Sequence, residues 1–234
     1  SSFGKILIQG ADARVFLQHL CAGDVDVPVG KLIYTQLLNH RGGIEADITV
    51  DRLAADRYMI VSSATTHSRD LAWIERHLVS ADRVVVTDVT SAYAVLSVQG
   101  PRSRDLLASI SDADLSNAAF PFLTSQEISI GYAPAIAKRV TFVGELGWEL
   151  YIPSEFAQGA FDTLTEAGQE FGLRPAGYHA LEHLRCERAY REFGLDLAPD
   201  DTPFEAGLGF SVKMDKPGGF IGRDALGSQR GKVL

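Results

Sequence analysis

Apolar and polar residues alternate most cleanly from Ile44 to Val50. Ile44, Ala46, Ile48 and Val50 fall on one side, and Glu45, Asp47 and Thr49 on the other, which is the pattern of a strand with one buried face. A second strand-like run, Tyr34 to Asn39, lies just before it. The segment His40-Arg41-Gly42-Gly43 between them reads as a hairpin turn. A turn of four residues sets Gln36 opposite Asp47 and Tyr34 opposite Thr49. Tyr34 and Asp47 then share a face as diagonal neighbours. Aspartate is depleted in strands because its short carboxylate competes for backbone hydrogen bonds. The face admits two readings. One is a solvated sheet side. The other is a pocket in which an aromatic ring stands beside a proton-accepting carboxylate, suited to a flat, nitrogen-rich ligand.

The remaining pattern builds outward from this hairpin. Lys5 to Gln9 predicts a strand closed by Gly10. Ala11 to Leu20 predicts a helix with Val15, Phe16, Leu17 and Leu20 on its apolar side. Arg57 to Ser62 predicts a third strand, and Ser63 to Val79 a helix capped by Thr65 or Thr66, with Leu71, Ile74, His77 and Leu78 on one face. The pattern then restarts. Phe3 to Gly10 matches Tyr93 to Gly100, Gln9-Gly10 recurs as Gln99-Gly100, Arg14 as Arg104 and Leu17 as Leu107. The second copy continues with strands Ala135 to Phe142 and Trp148 to Ile152 and a helix Ser154 to Phe171. This self-similarity predicts an α+β fold of two related lobes with antiparallel sheets and flanking helices. The lobes are expected at residues 1–90 and 91–210, with 211–234 as a connection. Beyond the second helix, the pattern predicts a helix His179 to Arg191, a loop Ala198 to Pro203, a strand-like run Phe204 to Val212, a turn Pro217 to Gly219 and a helix starting at Gly222 to Leu226.

Composition narrows the function classes. The 234 residues carry a formal charge of −8, which argues against nucleic acid as a partner. No apolar run approaches the ~20 residues that span a bilayer, so no membrane partner is expected. No secretory signal pattern opens the chain. Cys21 and Cys186 are too few for a disulfide framework, and a reducing, cytoplasmic compartment is the expectation. The chain opens at Ser1-Ser2-Phe3 and stops at Lys232-Val233-Leu234, shortly after a helix start. It reads as a piece of a longer polypeptide.

No glycine-rich dinucleotide fingerprint follows a strand, and no phosphate-binding P-loop is present. His179-Ala180-Leu181-Glu182-His183 has the spacing in which two histidines one helical turn apart share a zinc ion, with Glu182 as base. On the same helix Glu187 can accept two hydrogen bonds from an amidine-like edge, or pair with Arg191 at i,i+4. Gly144 and Gly147 supply a turn between strands; the segment reads as structural, with pocket lining by Phe142 as the other reading.

Four ordered motifs together resemble a known family. They are Tyr34-Thr35 with Asn39-x-x-Gly42-Gly43-Ile44-x-x-Asp47, then Gly144-Glu145-x-Gly147-x-Glu149, Leu184-Arg185-x-Glu187, and Phe220-Ile221-Gly222. The family is the folate-binding aminomethyltransferases typified by the T-protein of the glycine cleavage system. Glu45-Ala46-Asp47, Gly144 to Leu150 and Pro203 to Leu208 are most similar to one branch, the C-terminal tetrahydrofolate-binding region of dimethylglycine and sarcosine dehydrogenases. The resemblance implies tetrahydrofolate as cofactor, bound in a cavity between lobes. By that likeness Asp47 is the catalytic group beside the nitrogens that take up the one-carbon unit, Tyr34 lines the site, and Glu187 holds the pterin edge. Phe142 stands where the family usually has tyrosine, and Ser63 where the T-protein tends to have asparagine. Both remain candidate folate contacts. The implied function is one-carbon transfer from an amine-derived donor to give 5,10-methylenetetrahydrofolate. The implied partner is an FAD-dependent dehydrogenase domain or subunit. The family's C-terminal β-barrel is expected to be missing from this chain. Two other readings remain open, a folate-binding module without catalysis and a zinc peptidase built on His179 and His183.

Overall fold

The computed structural model describes residues 3–80 and 82–229; Ser1, Ser2 and the end of the chain, on which the reading of a longer polypeptide rested, lie outside them. The chain divides into two compact units. One comprises the described parts of Ser2–Thr90 and Glu192–Leu234, the other Ser91–Arg191. The sequence put residues 192–210 with the second lobe. They instead complete the first, because Phe193, Leu197, Ala206 and Leu208 bury themselves against Ala22, Leu38 and Ile44.

In the first unit the strands are β1 (Phe3–Gln9), β2 (Leu32–Leu38), β3 (Ile44–Ala54), β4 (Arg57–Ser63) and β5 (Val85–Asp88). They form one antiparallel sheet in the order β2-β3-β4-β1-β5. Helices α1 (Ala13–Leu20) and α2 (His67–Arg76) cover one face. Phe16, Leu17, Leu20 and Ile74 pack there on Ile6, Ile8, Ala46, Ile48, Val50 and Ile60. Each fully buried Ile or Leu contributes about 1.5–3 kcal/mol. The alternation of β3 is what aims Asp47 away from this core. The pairing of Tyr34 with Thr49 and of Gln36 with Asp47 follows the register set by the hairpin turn.

The turn is held by its own side chains. Asn39 Oδ1 accepts from the amides of Arg41 and Gly43, at 2.9 and 3.1 Å, and Asn39 Nδ2 donates to the Pro199 carbonyl at 3.0 Å. Gly42 has φ +85°, and a Cβ on Gly43 would stand 1.9 Å from the Pro199 oxygen. Glycine is therefore required at both positions.

The second unit has β6 (Tyr93–Gln99), β7 (Ser125–Ile130), β8 (Ala133–Lys138) and β9 (Gly147–Pro153) in the antiparallel order β6-β9-β8-β7. Helices α3 (Ser103–Ala108) and α4 (Ala157–Gly168) pack on a core centred on Trp148, which meets Phe120 edge-on at 5.9 Å. A further helix, α5 (Tyr178–Glu187), follows, and α6 (Arg223–Gln229) belongs to the first unit.

Several expected elements differ. Phe204 to Val212 is not a strand but turns and a 3-10 segment, Gly209–Ser211, since Gly207 takes φ +72° and breaks any extended run. The helix expected from Ser63 begins at His67. Thr66 stands at its N-cap, but its hydroxyl bonds the Asp70 carboxylate at 2.8 Å rather than a backbone amide. The strand expected over Ala135 to Phe142 is Ala133–Lys138. The helix read to Arg191 stops at Glu187, with Ala189 left-handed at φ 55°. Among the described residues, no helix is long and apolar enough to cross a membrane.

Candidate functional site

The first unit gathers its polar chemistry on the sheet face opposite the helices. Asp47 Oδ2 accepts from the Tyr34 hydroxyl at 2.9 Å, and Oδ1 accepts from Gln36 Nε2, also at 2.9 Å. The diagonal Tyr34–Asp47 neighbourhood expected from the turn is thus a direct hydrogen bond. The Ser211 hydroxyl lies 2.6 Å from Gln36 Oε1. With Ser211 donating there, the Gln36 amide is oriented so that its N–H points at Asp47. Phe210, next to Ser211, lays its ring 6.0 Å from that of Tyr34 at 25° and leaves 79 % of itself exposed.

Asp47 titrates high. Burial pushes its carboxyl from 3.8 up to about 6, against the lowering effect of the Gln36 and Tyr34 hydrogen bonds; the charge of Asp70 adds to the rise. Asp70, on α2, is only 1 % exposed, and burial raises its carboxyl too. Ser63 ends β4 two residues beyond Val61, the partner of Thr49, and so lies level with Asp47; its hydroxyl bonds that of Thr65 at 2.8 Å.

The other sequence-predicted residues belong to the second unit. Phe142 stacks on Tyr190 at 6.5 Å and 28°. Glu187 ends α5 with its side chain exposed, and Arg191 donates to the Ala189 carbonyl rather than pairing with it. The zinc reading loses its base, because Glu182 is engaged by Arg185 at 2.7 Å, and His179 and His183 are exposed. No metal-binding group of three ligating side chains occurs among the described residues.

Glu149, within the motif Gly144-Glu145-x-Gly147-x-Glu149, is not singled out by spacing or periodicity in the sequence. On β9 it is only 9 % exposed and accepts from the Tyr151 hydroxyl at 2.8 Å; burial raises its carboxyl. Lys138 sits with Nζ 4.2 Å above the Tyr151 ring. The available signal was a glutamate inside the apolar run Trp148-Glu149-Leu150-Tyr151-Ile152, whose flanking residues are all buried.

Residues 1–216 match the GCVT N-terminal domain family. The chain belongs to that family. This GCVT domain is 43 % identical over 226 residues to the 4-methylaminobutanoate oxidase (formaldehyde-forming) of Paenarthrobacter nicotinovorans, covering 97 % of this chain and 27 % of the oxidase. It is 39 % identical over 248 residues to human mitochondrial sarcosine dehydrogenase, covering 100 % of this chain and 27 % of that protein. The crystal structure of glycine cleavage system aminomethyltransferase T from Bartonella henselae superposes with a TM-score of 0.86 at 27 % identity, over 100 % of this chain and 62 % of that one. The chain therefore spans about a quarter of the oxidase and dehydrogenase relatives. The expected aminomethyltransferase-like fold is the observed one, and no closed barrel occurs among the described residues. One-carbon transfer is the family's general chemistry, and folate is the ligand it implies.

Proposed function

We propose that this GCVT domain carries tetrahydrofolate-dependent one-carbon transfer yielding 5,10-methylenetetrahydrofolate, within an N-methyl amine dehydrogenase-type protein that supplies an FAD-dependent domain. The observation that carries the reading is Asp47: a strand carboxyl whose pKa is raised to about 6, fixed by Gln36 and by Tyr34, whose ring stacks on the exposed ring of Phe210. The donor set fits a reduced pterin. Phe210 and Tyr34 present flat apolar surface, and Asp47 accepts from ring-side amines. Ser63, level with Asp47 on β4, is a further candidate contact within the first unit.

Tetrahydrofolate supplies the two amine nitrogens that take up the carbon of an iminium or formaldehyde. The chain's own part is proton handling and positioning. Near neutral pH Asp47 is mostly ionised, and its affinity for a proton lies close to the working range. It can therefore take the proton from the ammonium formed once an amine nitrogen has added to the carbon, and return it to the leaving amine or hydroxyl. Gln36 and Tyr34 hold both carboxylate oxygens, so the group meets its ligand in one orientation. Positioned proton transfer contributes ~10²–10⁴-fold. Asp47→Ala should lower the rate of methylenetetrahydrofolate formation, above the uncatalysed background, by that order. An unchanged rate would remove Asp47 from the chemistry and leave a folate-binding module without catalysis.

A further inference from the structure

The internal repeat brings out a charge imbalance that the proposed one-carbon chemistry does not use. In the first unit Asp26 sits between two guanidinium groups, with Arg14 at 3.0 Å and Arg52 at 2.9 Å. Arg52 also donates to the Val27 carbonyl at 2.6 Å and lies 5.5 Å from the Tyr58 ring centre. The second unit repeats this arrangement. Arg104, the counterpart of Arg14, and Arg139 both donate to one oxygen of Asn117, at 2.6 and 2.7 Å. Arg139 donates to the Phe120 carbonyl at 2.6 Å, and both guanidinium groups lie over Trp148, at 5.8 and 5.7 Å from its ring centre.

One element is exchanged. Where the first unit has a carboxylate, the second has a neutral amide. Two positive charges share the Asn117 oxygen, and neither arginine forms an ion pair among the described residues. Burial and the neighbouring charge of Arg104 lower the pKa of Arg139, with no carboxylate acting in the other direction. Arg104 Nε is buried without a hydrogen-bond partner. In a chain of formal charge −8, this pair has no counter-charge of its own.

We propose that Arg104 and Arg139 form a binding site for an oxyanion, a carboxylate or phosphate group carried by a small molecule, at the place where Asp26 neutralises the equivalent pair in the first unit. The planar guanidinium fork matches the two oxygens of either group. Trp148 holds both forks against its face, so their orientation is set before the anion arrives. Asn117 is exposed and can swing aside, giving its oxygen's position to the ligand.

The test copies the first unit into the second. Thermal unfolding of the chain, Asn117→Asp and Arg139→Gln is followed in inorganic phosphate, in glutarate, and in chloride of matched ionic strength. For the parent chain, phosphate or glutarate should raise Tm above chloride by about 1–3 °C at tens of millimolar. The arm that responds identifies phosphate or carboxylate as the bound group. Asn117→Asp should raise Tm in chloride by about 2–4 °C and abolish the anion response, because the carboxylate then occupies the site. Arg139→Gln should abolish the response without the rise. No response to either anion in the parent chain overturns the proposal, as does a response that survives in Asn117→Asp.

Discussion

Asp47→Asn separates the cost of the candidate base from its use. A carboxyl moved from 3.8 to about 6 by burial makes ionisation in the folded chain cost ~3 kcal/mol. Solvent reaching its partly open side lowers this to about 1.5–3 kcal/mol. The sign follows from proton counting. Between about pH 4 and 6 the folded chain holds a proton on Asp47 that the unfolded chain has lost, so stability falls as pH rises through that window and stays low above it. Asparagine is nearly isosteric. Its oxygen can accept from Gln36, and its amide can donate to the Tyr34 hydroxyl, so both 2.9 Å contacts survive without the charge. The variant should therefore match the parent at pH 4 and exceed it at pH 8 by about 1.5–3 kcal/mol, roughly 3–12 °C in Tm. It should at the same time lose the one-carbon transfer rate. Thermal unfolding of both chains from pH 4 to pH 8 measures this, and the difference between them cancels the other carboxylates. A variant less stable than the parent at pH 8, or a gap that does not change with pH, would refute the burial argument.

Other consequences are local. Gly43→Ala should destabilise by at least ~2 kcal/mol in denaturant unfolding, because the added Cβ would stand 1.9 Å from the Pro199 oxygen and the hairpin turn would have to move. Phe210→Ala should leave Tm within about 1 °C, since the ring is 79 % exposed, yet weaken tetrahydrofolate binding by calorimetry roughly tenfold; equal affinity removes the ring from the site. Glu149→Gln keeps an acceptor for Tyr151 and removes a carboxyl whose ionisation burial disfavours, so it should not lower Tm near neutral pH; a drop of several degrees would refute the burial argument. Lys216 donates to the Cys21 and Gly23 carbonyls at 2.5 and 2.8 Å, and burial brings its ammonium from 10.5 down to about 8. The folded chain thus holds fewer protons than the unfolded one between those values, so stability should rise with pH there, and Lys216→Met should flatten that rise.

The hairpin was legible because two local rules agreed. Strict alternation fixed which side of β3 is buried, and a four-residue glycine turn fixed the register that sets Tyr34 against Asp47. The repeat was legible because its Gln-Gly corner recurs at Gln9-Gly10 and Gln99-Gly100. What failed was set by contacts distant in sequence. Val85–Asp88 is too short and exposed to show a pattern, and becomes a strand only by pairing with β1. The segment after Glu192 has no periodicity of its own, and its place in the first unit follows from Phe193 and Leu197 meeting Leu38 and Ile44. Glu149 was passed over because its burial depends on what covers both faces of β9.

The two units converge on one device. Each carries, on a strand of its sheet, a carboxylate that accepts a hydrogen bond from a tyrosine hydroxyl: Asp47 from Tyr34 at 2.9 Å, and Glu149 from Tyr151 at 2.8 Å. In each, burial raises the carboxyl and the tyrosine only partly offsets the rise. A charge held this way weakens the fold, and a domain of marginal stability tolerates few such sites. An apolar or amide side chain at either position would be cheaper, as the Asp47→Asn comparison measures directly. Perturbed carboxylates of this kind concentrate where proteins handle ligands and protons. Asp47 and Glu149 are therefore the carboxylates at which each unit, taken by itself, is first to be tested for ligand or proton handling.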